Sequence, residues 1–188
     1  MLLHFIFIVK EEEIEERKWE FQYVEKMAEF YKSWIEKVFS QKVEVQSDEM
    51  IVRSGGRPRI MDTHILLDDH ASRGEDIFHF YLSYFRPLWT DCTCEGYYAE
   101  NFGMVWWQKS PEKGDVEFLR EKNCTKVSHE IAHEFLRKAK YKNYKELVHE
   151  IWDKHLFAAV PFEHYDASFK RSEKDALFAT LDTTSLKI

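Results

Sequence analysis

The sequence predicts an α+β fold, in which a mixed, twisted sheet is backed by a long helix and followed by two antiparallel helices. Three observations favour this fold. The apolar stretch 1–9 runs into a long segment whose large apolar residues recur at three- to five-residue steps. Short runs rich in aromatic residues then alternate with turn residues. Finally, two segments with helical periodicity are separated by only four or five residues, which is typical of an antiparallel helix pair.

The first half of the chain supplies most of the predicted sheet. We expect a buried strand at 1–9, because this stretch is apolar and ends at a run of charges. The helical periodicity predicts a helix over 15–40. Alternation of polar and apolar residues over 42–46, with an apolar run at 50–52, indicates one or two further strands. The aromatic segment 77–85 is typical of a central strand.

The second half predicts a hairpin and the helix pair. Segments 96–103 and 104–107 favour two short strands or a bent hairpin. A helix is predicted over 123–138, with apolar residues repeating on one face. A second helix is predicted over 143–157, because Asn143 and Glu146 form a capping pattern at its start.

Composition limits the class of protein. The chain has 188 residues, of which 44% are hydrophobic and 16% aromatic, enough for the core of one domain. With 34 acidic and 27 basic residues the net charge is −7, which disfavours a nucleic-acid partner because the phosphate backbone attracts basic surfaces. The charge balance does not indicate an oligomeric state.

The location in the cell is predicted from the cysteines and the N-terminal stretch. Three cysteines are too few for a disulfide framework in a chain of this length. The apolar stretch 1–9 is too short to cross a membrane and lacks a basic leader. We therefore expect a cytoplasmic protein without a membrane partner.

The helix predicted at 123–138 carries His129, Glu130 and His133 in the pattern His-Glu-x-x-His. Residues four apart project from the same side of a helix, so two imidazoles at this spacing can bind one Zn²⁺ through ring nitrogens. A carboxylate between them can reach a water molecule on that metal. The pattern predicts His129 and His133 as zinc ligands and Glu130 as the catalytic base. The alternative is a pair of solvated surface histidines.

The apolar residues of the same helix support the metal interpretation. Val127, Ile131 and Phe135 share one face, and the two histidines lie more than about 100° away around the helix. A helix of this kind can pack on a sheet while its histidines face a cleft.

The predicted order of elements resembles that of the zincin metallopeptidases: a strand, a long helix, two or three strands, an edge strand and a His-Glu-x-x-His helix. The helix soon after the motif is similar to the gluzincin, or thermolysin-like, layout. The resemblance covers residues 2–157. It implies a zincin-like catalytic domain over 1–157, with residues 158–188 as a C-terminal extension packed on the same domain. It also implies hydrolysis of peptide bonds in a peptide or protein substrate, through a water molecule activated by one Zn²⁺.

The residues after the motif offer several candidates for the third zinc ligand. In gluzincins it is a glutamate about two turns into the following helix, and Glu150 matches that position. The family signature Asn-Glu-x-x-x-Ser-Asp is absent, however, because His149 precedes Glu150 and Lys154 replaces the supporting aspartate. The other candidates for this position are His149, Asp153, His155 and His164.

The resemblance also implies a site for substrate. The segment 98–102 lies where gluzincins place the edge strand that pairs with an extended peptide, which assigns substrate binding to Ala99, Glu100 and Asn101. Free N–H and C=O groups on an edge strand can add a peptide as another strand. The alternative is an ordinary aromatic hairpin that contributes to the core.

Two further hypotheses follow from these predictions. A zincin-like scaffold without catalysis would act as a peptide-binding or regulatory protein. The C-terminal segment from Lys170 contains an apolar run at 177–181, which could lie along the edge strand and inhibit the site.

Overall fold

The computed structural model of this chain describes residues 1–39, 41–52, 76–84, 96–99 and 102–138. The predicted helix 143–157 and the predicted extension 158–188 lie outside the described residues. No helix in the described ranges has both the length and the apolar character needed to cross a membrane.

Five strands and two long helices make up the described fold. In chain order, with a short 3-10 turn at Glu11–Glu13 after the first strand, they are β1 (Leu2–Lys10), α1 (Ile14–Phe39), β2 (Glu44–Val52), β3 (Ile77–Ser83), β4 (Gly96–Tyr98), β5 (Phe102–Trp106) and α2 (Val116–Lys138).

The strands form one sheet in the order β2-β1-β3-β5-β4. The first four strands of that order run parallel, and β4 alone pairs antiparallel, with β5. Helix α1 makes the crossover between β1 and β2, as a parallel pair requires. The fold is therefore a mixed α/β fold with four parallel strands. The prediction of an α+β fold was correct in combining a sheet with helices, but it missed that the sheet is mostly parallel.

Both long helices pack on the same face of the sheet. Alternate side chains of β1 point to that face, and so do those of β3. The fully buried core between sheet and helices includes Leu3, Phe5, Phe7, Phe80, Tyr23, Met27, Val127, Ile131 and Phe135. The long backing helix predicted from periodicity is thus confirmed, with bounds of Ile14–Phe39 in place of 15–40.

The opposite face of the sheet carries a smaller apolar cluster. Ile6 and Ile8 of β1 contact Tyr81 of β3 and the β5 residues Phe102 and Met104. Because successive side chains of a strand point to opposite faces, β1 contributes to both clusters. This double burial explains why its sequence is almost continuously apolar.

The segment after α1, for which one or two strands were predicted, forms the single strand Glu44–Val52. The predicted start of the next long helix was wrong. Helix α2 begins at Val116 and not near Asn123, because Asp115 caps it by accepting a hydrogen bond from the Phe118 N–H at 3.0 Å. Asn123 is therefore an interior residue of this helix. Its side chain makes two hydrogen bonds to the backbone of Gln108, at 2.8 and 3.0 Å.

Candidate metal centre

Helix α2 brings His129, Glu130 and His133 together. One ligand atom from each of the three residues lies within 4.8 Å of those of the other two. The opposite side of the helix is anchored in the core by Val127, Ile131 and Phe135, which are fully buried. The packing of this apolar stripe fixes which way the two histidines point.

A hydrogen-bonded contact to α1 fixes the helix next to the motif. Tyr31 of α1 donates to the Cys124 carbonyl at 2.8 Å, and its hydroxyl also lies 2.8 Å from Ser128 Oγ. Ser128 immediately precedes His129 and is fully buried. The start of the motif is therefore fixed against a second helix, which limits the freedom of the histidine backbone.

The two imidazoles have the geometry expected of ligands to one ion. Nε2 of His133 lies 3.1 Å from Nε2 of His129, and the ring planes meet at 74°. Two nitrogens that bind one Zn²⁺ tetrahedrally, each about 2.0 to 2.1 Å from the metal, are about 3.3 Å apart. The observed separation fits this requirement with only a small adjustment of the side chains.

Glu130 lies between α2 and the edge strand β4. It is only 6% exposed. A Cβ atom at Gly96 of β4 would overlap Oε1 of Glu130 and lie 2.9 Å from its Cδ, so only glycine leaves room for this carboxyl group. Burial raises the pKa of Glu130 to about 8. A carboxyl group with such a pKa can take up and release a proton near neutral pH.

Tyr98 of β4 is a site residue that sequence reasoning missed. Its ring stacks on that of His133, with centroids 5.2 Å apart and planes at 25°. Its hydroxyl donates to Glu134 Oε2 at 2.7 Å and accepts from Arg137 Nε at 3.1 Å. The Tyr98 ring thus covers one face of the His133 ring, and the Tyr98 hydroxyl connects the edge strand to the helix by hydrogen bonds.

The partners of Tyr98 form a two-point ion pair on α2. Arg137 donates from Nε and Nη2 to the two oxygens of Glu134, at 3.0 and 2.9 Å. The Glu134 carboxylate raises the pKa of Arg137, so its guanidinium remains charged. The three-residue spacing of Glu134 and Arg137 on a helix could have predicted their ion pair. Their contact with Tyr98 could not be predicted, because it depends on where β4 packs against the helix.

Of the predicted substrate-binding residues, Ala99 lies directly after β4. Its N–H donates to the Phe102 carbonyl at 2.8 Å, within the connection to β5. The role of Ala99 in substrate binding stays a prediction. The remaining predicted site residues lie outside the described residues: Glu100, Asn101, His149, Glu150, Asp153, His155 and His164.

The prediction of two short strands in this region is confirmed, with bounds of Gly96–Tyr98 and Phe102–Trp106 in place of 96–103 and 104–107. Strands β4 and β5 pair antiparallel, from Gly96 opposite Val105 to Tyr98 opposite Gly103. Among the strands that the structure describes, β4 lies at the edge, and β5 lies between β3 and β4.

Comparison with known proteins gives no match to a protein-family model, to a curated protein or to a solved structure. The function of the centre must therefore be inferred from its own residues.

Proposed function

We propose that this chain is a zinc-dependent metallopeptidase that hydrolyses peptide bonds with Glu130 as general base. The observation that carries the proposal is the convergence of His129, Glu130 and His133 within 4.8 Å, with the two Nε2 atoms 3.1 Å apart. The two imidazoles would supply two of the three protein ligands of a catalytic zinc, and the buried carboxyl group would supply the base.

The zincin-like fold is part of this proposal. The described order of a strand, a long helix, further strands and a His-Glu-x-x-His helix supports this part of the proposal, although the parallel strand β5 stands between the edge strand β4 and α2. The gluzincin-like second helix over 143–157 and its ligand Glu150 remain predictions.

His129 and His133 would hold the metal through their Nε2 atoms, and Glu150 is the proposed third ligand. When bound, a zinc ion supplies Lewis acidity that makes water more acidic and polarises a carbonyl group. Glu130 takes the proton of the attacking water and later passes it to the leaving amine. Its raised pKa, about 8, suits a group that must do both.

The edge strand β4 supports a peptide or protein as substrate. It is the last strand of the sheet in the described residues, and it lies against the motif helix through Gly96 and Tyr98. An extended peptide could add beside β4 as another strand by backbone hydrogen bonds. This position would bring a peptide bond close to Glu130.

One observation favours a second function, which is peptide binding without catalysis. Glu130 and His133 are 6% and 4% exposed, whereas His129 is only partly buried, so most of the centre is shielded from water. If the centre stays closed when a peptide binds to β4, the same scaffold would act as a binding or regulatory protein.

The test compares the wild type with Glu130→Gln, which keeps the proposed ligands and removes the base. Glu121→Gln is the matched control, because Glu121 is an exposed carboxylate on the same helix. We expect the wild type and the control to cleave a library of quenched fluorescent peptides. Cleavage by Glu130→Gln should fall by about 10²- to 10⁴-fold, with unchanged zinc content by mass spectrometry.

The double variant His129→Ala/His133→Ala tests the metal separately and should bind one zinc ion fewer than the wild type. Equal zinc contents would contradict a zinc centre at this position. Zinc bound at the centre together with peptide binding, but without cleavage by the wild type, would favour the second function.

A further inference from the structure

A second pair of histidines lies on the sheet face opposite the two helices. His4 of β1 and His79 of β3 stand directly opposite each other in the parallel register. Their Nδ1 atoms are 3.1 Å apart, whereas the ring centroids are 5.1 Å apart with planes at 53°. The rings therefore meet at their nitrogen-bearing edges and not face to face.

A carboxylate fixes the first ring of this pair. Asp48 of β2 lies with Oδ2 2.7 Å from Nε2 of His4, and Gln46 donates to the same oxygen at 2.6 Å. A carboxylate only accepts hydrogen bonds, so Nε2 of His4 carries the proton of that ring. The Nδ1 lone pair of neutral His4 then points at His79. Metal-binding histidines are oriented by carboxylates in the same way.

The second ring is held by burial. His79 is 5% exposed, and its ring stacks on that of Tyr81 with centroids 6.2 Å apart and planes at 24°. Both residues belong to the central strand β3. Because packing already fixes the His79 ring, binding of an ion does not incur the entropy cost of ordering this side chain.

We propose that His4 and His79 form a second metal site, which binds a divalent transition-metal cation through the two Nδ1 atoms. Asp48 is its positioning residue. Imidazole ligands favour ions such as Zn²⁺ and Cu²⁺. The nitrogens of two neighbouring ligands are about 3.3 Å apart around tetrahedral zinc and about 2.8 Å apart around square-planar copper. The observed 3.1 Å lies between these values, so both ions are suitable probes.

This site is independent of the proposed peptidase centre. The peptidase histidines lie on α2, which packs on one face of the sheet, and the second pair lies among the side chains of the other face. Two protein ligands leave further positions on the ion for water or for a small ligand. The bound ion would take the place of the hydrogen bond between the rings.

The experiment uses the full chain with His129→Ala/His133→Ala, so that the peptidase centre no longer contributes. Added Cu²⁺ is followed by electron paramagnetic resonance, which detects nitrogen ligands, and added Zn²⁺ by calorimetry. We expect His79→Gln in this background to lose one bound ion and its nitrogen signal. Asp48→Asn should keep the ion but weaken its binding by about 10- to 100-fold.

Glu44→Gln is the matched control for Asp48→Asn, because Glu44 is another exposed carboxylate of β2. It should leave the affinity unchanged. The proposal is overturned if His79→Gln folds and binds as many ions as its parent. If His79→Gln does not fold, the metal affinity of Asp48→Asn tests the proposal. The Asp48 side chain is 54% exposed, so this substitution should not affect folding. Equal affinities of Asp48→Asn and Glu44→Gln would then overturn the proposal.

Discussion

The helix pair, His129 and His133, and the strand pair, His4 and His79, reach the same geometry by different routes. In each pair two ring nitrogens are 3.1 Å apart. The helix pair is four residues apart, so one turn of helix brings the rings together. The strand pair is 75 residues apart and depends on the register of two parallel strands. A metal-binding geometry can therefore be encoded locally or only through the sheet.

The carboxyl groups beside the two pairs also differ. Glu130 is buried, and its pKa is raised to about 8, as suits a group that transfers protons. Asp48 is 54% exposed and hydrogen-bonded to His4, as suits a group that orients a ring. This difference is why we propose catalysis at the helix pair and metal binding alone at the strand pair.

The largest expected effect is the loss of metal-linked stability at the helix pair. Zinc at a thousand times its Kd stabilises the folded chain by about 4 kcal/mol. A chelator should therefore lower the Tm of the wild type in differential scanning calorimetry. His133→Ala should lose the part of this response that the helix pair contributes, whereas His79→Gln should retain that part. Equal responses in the wild type and His133→Ala would assign the stabilising ion to another site.

Gly96→Ala should nearly abolish catalysis at the helix pair, because the new Cβ displaces the carboxyl group of Glu130. A misplacement of about 1 Å can lower kcat/KM by about 100-fold. The control is Gly114→Ala, where no atom lies within 4 Å of the new Cβ but the backbone has a φ of 88°. That variant should lose about 1 kcal/mol of stability and keep its kcat/KM. Similar losses of kcat/KM in both variants would contradict the close contact.

Tyr98 tests whether the helix pair needs the edge strand. Tyr98→Ala removes both the ring stacked on His133 and the hydroxyl bonded to Glu134. We expect the zinc Kd, measured by competition with a chromophoric chelator, to rise about tenfold. Tyr98→Phe keeps the stack and should have a smaller effect. If both variants bind zinc as tightly as the wild type, the helix alone positions the pair.

The smallest effect is expected at Cys124, which lies on the same helix as the helix pair. Burial raises the pKa of its thiol to about 12, so the thiol stays protonated at pH 8 and should react slowly with iodoacetamide. Cys124→Ala should cost about 1 kcal/mol in denaturant unfolding and leave the zinc Kd unchanged. A weaker zinc affinity would show that the helix pair depends on the packing between α1 and α2.

The parts of the fold that were predicted correctly are those with a strong local period. Strand β1 and helix α1 were placed to within one or two residues, because each repeats apolar residues over a long stretch. The start of α2 was missed because the residues after Val116 are mostly charged and give little periodic signal. Asp115, whose side chain caps the helix, was the available signal.

Local sequence patterns predicted strand β1, the backing helix and the spacing of His129, Glu130 and His133, since each depends on residues close together in the chain. The tertiary structure decided the parallel order of the sheet and the contact of Gly96 with Glu130. It also decided the stacking of Tyr98 on His133 and the pairing of His4 with His79. Each of these joins residues distant in sequence, and their proximity is set by strand register and by the packing of the helices on the sheet.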